Sequence, residues 1–102
     1  MATVHEYALV RRARRTDVVT ELELRPCGTP VPFAAGQYVL VSDGDGRMPE
    51  RSYSVANAPR HDGHLTLLVS RVPAGQTSEW LRRGARSGET MLIEDPFGTF
   101  LD

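Results

Sequence analysis

Arg51-Ser52-Tyr53-Ser54-Val55-Ala56, ended by Asn57-Ala58-Pro59, reads as a strand followed by a turn. Alternation along a strand sends Arg51 and Tyr53 to one face and Ser52 and Ser54 to the other. An arginine beside a tyrosine offers a flat anionic ligand both a forked phosphate contact and an aromatic platform. An ordinary strand of mixed polar and aromatic residues accounts for the same four residues equally well. The choice between the two readings depends on what surrounds the stretch.

Strand patterns lie on both sides of it. Glu6 to Val10 and Val18 to Leu24 carry aliphatic and β-branched residues, with a polar corner at Arg15 to Asp17. Leu22 and Leu24 alternate with Glu21, Glu23 and Arg25, the period-two pattern of a half-buried strand. Pro26, Gly28, Pro30 and Pro32 then break the chain into a loop. Gln37 to Ser42 is a short apolar run, and Asp43-Gly44-Asp45-Gly46 after it is the strongest turn signal in the chain. Beyond the His61-Asp62-Gly63 turn, Leu65 to Val72 and Glu89 to Glu94 read as two further strands. Thr77 to Arg83 is predicted to be helical, with Thr77 or Ser78 as cap, Glu79 in the first turn and Trp80-Leu81 on the apolar side. Six strands and one short helix, spaced by turns, predict an all-β antiparallel barrel or sandwich.

A chain of 102 residues forms one domain. Its net charge of −1 gives the whole molecule no strong pull toward nucleic acid or an anionic membrane. All twelve basic residues are arginine, which suggests a GC-rich, bacterial coding sequence. Cys27 is the only cysteine, so the chain forms no internal disulfide and holds no cysteine-ligated cluster. No early segment has the apolar length of a signal peptide or membrane span, which predicts a cytoplasmic protein.

Two further segments carry potential chemistry. Gly75-Gln76-Thr77-Ser78 opens the helix, where unpaired backbone N–H groups attract phosphate and Gly75 leaves the backbone uncovered. Simple capping by Thr77 or Ser78 is the plainer explanation. Asp95-Pro96-Phe97-Gly98-Thr99-Phe100 pairs a tight turn with two phenylalanines, which suit either core packing or a large apolar ligand.

In combination these segments resemble the flavin domain of the ferredoxin–NADP reductase family. The resemblance runs through Phe33-Ala34-Ala35-Gly36-Gln37-Tyr38, Arg51 to Pro59, Leu67-Leu68-Val69-Ser70-Arg71-Val72, Gly75 to Ser78, Gly88-Glu89 and Pro96 to Phe100. It implies a six-stranded antiparallel Greek-key β-barrel with one short helix, binding FAD or, less in keeping with the Pro-Phe-Gly-Thr-Phe ending, FMN. Tyr53 would lie against the flavin ring, and the Ser54 hydroxyl would hydrogen-bond its reactive nitrogen, making Ser54 the rate-affecting residue. Arg51 would pair with the pyrophosphate, alongside Ser52 on the same strand. Gly75, Gln76, Thr77 and Ser78 would close over that pyrophosphate. Backbone groups of Leu68, Val69, Ser70 and Arg71 would address the pyrimidine edge and ribityl chain. The implied activity is that of an NAD(P)H-dependent oxidoreductase passing electrons through flavin to a ferredoxin, an oxygenase or a similar acceptor.

The resemblance has two departures. Asp95 stands where the family usually has glycine, and the chain stops at Asp102 without the family's NAD(P)-binding domain or any G-x-G-x-x-G fingerprint. The chain is therefore expected to span one domain, residues 1–102, and to turn over poorly alone. A flavin-free barrel serving as a binding or regulatory module is the alternative, and an oligonucleotide-binding barrel a weaker one that the acidic balance disfavours. Arg11, Arg12, Arg14 and Arg15 suit either a docking site for an acidic electron carrier or a solvated strand end. Asp43, Asp45 and Glu50 lack the spacing of a calcium loop, and His5, His61 and His64 lack the company of a zinc site, so no metal is expected.

Overall fold

The computed structural model describes residues 4–45, 47–72 and 75–94. Six strands, β1 (Val4–Arg14), β2 (Val19–Pro26), β3 (Tyr38–Ser42), β4 (Arg51–Ser54), β5 (Leu65–Ser70) and β6 (Thr90–Glu94), form one sheet. Their order is β4-β3-β6-β1-β2-β5, and every paired neighbour is antiparallel. A bridge between Val55 and Leu67 brings the two ends of this order together, so the sheet curls into the expected barrel.

Inward alternation builds the core. Tyr7 and Leu9 of β1, Leu22 and Leu24 of β2, Val39 and Val41 of β3, Leu65, Leu67 and Val69 of β5, and Met91 and Ile93 of β6 are all buried. Each such aliphatic side chain contributes about 1.5–3 kcal/mol relative to exposure. The Tyr7 phenol is inside as well, where its oxygen accepts the Val31 N–H at 2.8 Å. Burial raises its pKa above the usual value, and the Val31 hydrogen bond partly offsets that.

β1 is longer than its apolar pattern suggests. A bulge between Leu9 and Arg11 resets the register, and Arg11 to Arg14 then pair with Glu23 to Thr20 of β2. Their side chains find cross-strand partners. Arg11 lies 3.4 Å from Glu23, while just beyond the strand Arg15 grips Glu21 through two hydrogen bonds of 3.2 and 3.0 Å. The corner joining the strands is the polar one expected: Thr16 Oγ1 accepts the Val18 and Val19 N–H groups. In the turn after β3, Asp43 Oδ1 accepts the Asp45 N–H at 3.1 Å while Gly44 takes a φ of 82°.

The helix departs most from expectation. It starts at Gln76, runs as α1 (Gln76–Glu79) and widens into a π-helical turn, Trp80–Gly84. Gly75 holds the cap position, with no side-chain cap hydrogen bond. Thr77 and Ser78 do not cap it, because both hydroxyls are committed elsewhere. Thr77 Oγ1 donates to the Pro49 carbonyl, and Ser78 Oγ donates back to the Gly75 carbonyl at 3.2 Å. At the other end Arg12 of β1 donates to the Leu81 and Ala85 carbonyls at 3.1 and 2.8 Å, and Leu81 is fully buried. The Asp95 to Phe100 segment lies outside the described residues.

Candidate functional site at the barrel seam

β4 and β5 are the two ends of the sheet order, and no ladder joins them among the described residues. Past the Val55–Leu67 bridge a groove of about 290 Å³ opens between them. Arg51, Ser52, Tyr53 and Ser54 line it from β4, and Leu68 and Ser70 from β5. Gly75 and Ser78 line it from the start of the helix. Three segments far apart in sequence therefore meet around one opening. An incompletely zipped barrel also leaves backbone donors and acceptors of β5 on that side without a strand partner.

Eight of the twelve expected site residues line the groove. The other four do not, each for a local reason. Val69 points into the core and is fully buried. Arg71 lines a different groove, on the far side of Val72. Gln76 is exposed, and Thr77 is buried with its hydroxyl held by Pro49. Tyr38 and Val72 line the groove although the sequence did not mark them as site residues. The cross-strand register was the missing signal for Tyr38, which pairs directly with Ser54.

The chemistry of the lining is mixed. Tyr38, Leu68 and Val72 are 42%, 40% and 50% exposed, so half of the large exposed hydrophobic side chains among the described residues gather at this opening. Tyr53 is only 9% exposed and belongs to the core cluster, so its ring presents little more than an edge. Burial raises the Tyr53 pKa, with the nearby Arg51 charge acting in the opposite sense. Arg51 is exposed and donates to its neighbour's carbonyl, Glu50, at 3.0 Å. It makes no ion pair among the described residues, which leaves its charge available to an anion. A Cβ on Gly75 would come within 2.8 Å of Ser78 Oγ and 3.0 Å of Val72 Cβ, so a side chain here would crowd the start of the helix beside the groove.

Comparison with known proteins agrees with this fold. The oxidoreductase FAD-binding domain family matches residues 16–101. Reductase component 1 of terephthalate 1,2-dioxygenase from a Comamonas species is 44% identical over 82 residues, covering 79% of this chain and 24% of the relative. The reductase subunit of an aromatic O-demethylase from an Amycolatopsis species is 40% identical over 101 residues, covering 97% of this chain and 28% of the relative. Among solved structures, the ferredoxin reductase in carbazole 1,9a-dioxygenase superposes with a TM-score of 0.84 at 28% identity, over 95% of this chain and 29% of that one. The chain thus spans roughly a quarter of the length of the relatives it matches. With six antiparallel strands closed at a seam and this family's sequence pattern along them, the chain belongs to the oxidoreductase FAD-binding domain family.

Proposed function

We propose that this domain holds the FAD of a bacterial, cytoplasmic NAD(P)H-dependent reductase that delivers electrons to a ferredoxin or an oxygenase. The observation that carries the proposal is the convergence of Arg51, Ser54, Leu68, Gly75 and Ser78 on one groove. The relatives named above are reductase components of oxygenases or demethylases, and their extra length leaves room for a separate nucleotide-binding unit. No helix among the described residues is long and apolar enough to cross a membrane.

The residues present fit a flavin. A flat, largely apolar ring suits the opening framed by Tyr38, Leu68 and Val72, which would also keep water from it. Arg51, free of ion pairs among the described residues, would neutralise the pyrophosphate, helped by the uncovered backbone at Gly75. Ser54 would hold a hydrogen bond at the ring nitrogen whose protonation changes. Tyr53 would steady the ring from beneath rather than offer a broad stacking face. When bound, the flavin supplies the redox chemistry, while the protein supplies position and electrostatics.

The test is titration of the chain with FAD and FMN, followed by flavin fluorescence. Quenching is expected, with FAD binding tighter than FMN. Arg51→Ala should weaken FAD by about ten- to a hundredfold, the loss of one charge-assisted hydrogen bond to phosphate. A chain with native near-UV circular dichroism that quenches neither flavin would overturn the proposal in favour of a flavin-free binding module.

A further inference from the structure

Arg51 faces the seam groove from β4, and Gly75 faces it from the start of the helix. Pro49 stands two residues before Arg51 and Thr77 two residues after Gly75, and neither of them lines the groove. Thr77 Oγ1 donates to the Pro49 carbonyl, so a hydrogen bond behind the opening ties its two walls together. Among the described residues no other hydrogen bond or ion pair joins the helix to residues 47–54.

Both partners make this bond an unusual one. Thr77 is 1% exposed, and a buried hydroxyl is costly unless it finds an acceptor. A threonine in a first helical turn ordinarily finds one in the local backbone. Ser78 does so, donating to the Gly75 carbonyl at 3.2 Å, whereas Thr77 reaches 28 residues back along the chain. Pro49 has no N–H of its own and lies ahead of the β3–β4 ladder, whose register begins at Val41 and Arg51. Pro49 and Glu50 are exposed, and no strand pairing among the described residues holds them. Arg51 Nη1 donates to the Glu50 carbonyl at 3.0 Å. The guanidinium is therefore folded against the same short segment that Thr77 anchors.

We propose that Thr77 is a positioning residue for the phosphate end of the flavin site, setting through Pro49 the distance between Arg51 and the Gly75 backbone. The proposal rests on the flavin reading above. The one proton of the Thr77 hydroxyl is committed to Pro49 and its side chain is buried, so it acts on a phosphate through Arg51 and not by contact. A charge and a bare helix start held at a fixed spacing need less ordering when the ligand arrives, and this strengthens binding.

The test is a double-mutant cycle read by FAD fluorescence quenching. Thr77→Val keeps the shape and removes the hydroxyl, and should weaken FAD about three- to tenfold. Thr77→Ser keeps the hydroxyl and should bind within about twofold of the parent chain. In an Arg51→Ala chain, Thr77→Val should weaken FAD by less than about twofold further, because the group it positions is gone. A threonine that only stabilises the fold would give the same loss with and without Arg51. Additive losses, or Thr77→Val binding as tightly as the parent, would overturn the positioning role. Should Thr77→Val lack native near-UV circular dichroism, Thr77→Ser decides, and a loss of about tenfold or more in it would overturn the role as well. A parent chain that quenches neither FAD nor FMN would refute the flavin reading and this proposal with it, whereas equal FAD binding by parent and Thr77→Val refutes the positioning role alone.

Discussion

Val55 and Leu67 form a single antiparallel bridge, and on one side of that bridge the barrel is closed while on the other it is a groove. Alongside it the Ala56 N–H donates to the Thr66 carbonyl at 2.8 Å, and among the described residues no ladder continues the contact. Adjacent residues of β5 therefore have opposite tasks. Leu67 is fully buried behind the bridge, while Leu68 lines the groove.

Leu67→Ala and Leu68→Ala should separate these tasks. The first removes a buried side chain and is expected to cost about 2–5 kcal/mol in urea denaturation. The second should leave stability within about 0.5 kcal/mol and weaken FAD binding instead. Equal destabilisation by both variants would mean that Leu68 is a core residue and the seam is closed.

Tyr53 is expected to respond to size more than to its hydroxyl. Because its ring belongs to the core, Tyr53→Ala should cost about 3–5 kcal/mol, as for other large aromatic truncations. Flavin binding lost in that variant would follow from misfolding. Tyr53→Phe preserves the packing and is the informative change, with stability expected to stay within about 1 kcal/mol. A Tyr53→Phe chain as unstable as Tyr53→Ala, by thermal melting, would contradict this placement.

At Gly75, any side chain meets Val72 Cβ at 3.0 Å and the Val72 carbonyl at 3.1 Å, neither of which can swing aside as Ser78 Oγ can. Gly75→Ala should therefore cost about 1–3 kcal/mol, an overpacking penalty at ordinary backbone angles. It should also weaken FAD, since the start of the helix would move. A melting temperature equal to that of the parent chain would show that the helix start has room to spare.

Stability should fall at both ends of the pH scale. The hydrogen bond from Arg15 lowers the Glu21 pKa, and the His64 backbone N–H lowers that of Asp62. Both carboxyls bind protons more readily when unfolded, so their contribution is present above the ordinary carboxylate range and is lost as pH falls through the folded values. Burial raises the Tyr7 and Tyr53 pKa values, so each phenol favours the folded state below the ordinary tyrosine range. That contribution is lost as pH rises through the folded values. Urea midpoints across pH check both arms, and Tyr53→Phe should soften the alkaline one. An alkaline limb unchanged in that variant would show that Tyr53 ionises as freely folded as unfolded.

The strands were legible wherever one face is buried, because Leu22 and Leu24 against Glu21 and Glu23 leave only one register. The far half of β1 was not, since arginines paired across strands show no apolar period. The helix was visible, but its cap was misassigned. The Pro49 carbonyl claims Thr77, and that carbonyl is 28 residues away in sequence. The seam groove was legible in its β4 and glycine parts, which sit in contiguous motifs. Tyr38 and Val72 enter it through strand register and the parting of two edges, properties of the closed barrel rather than of any segment.

Arg12 holds the Leu81 and Ala85 carbonyls across 69 and 73 positions of sequence. The helix that borders the seam groove at its start is thus fastened at its far end by β1. A site wired this way cannot mature piecemeal: β1 must be in place, and the chain made through residue 85, before the groove has a fixed wall. Contacts of such separation slow folding, because the long loop between them must close before either contact stabilises anything. Flavin added during refolding should therefore be captured late, in the same kinetic phase that protects the amides of β1.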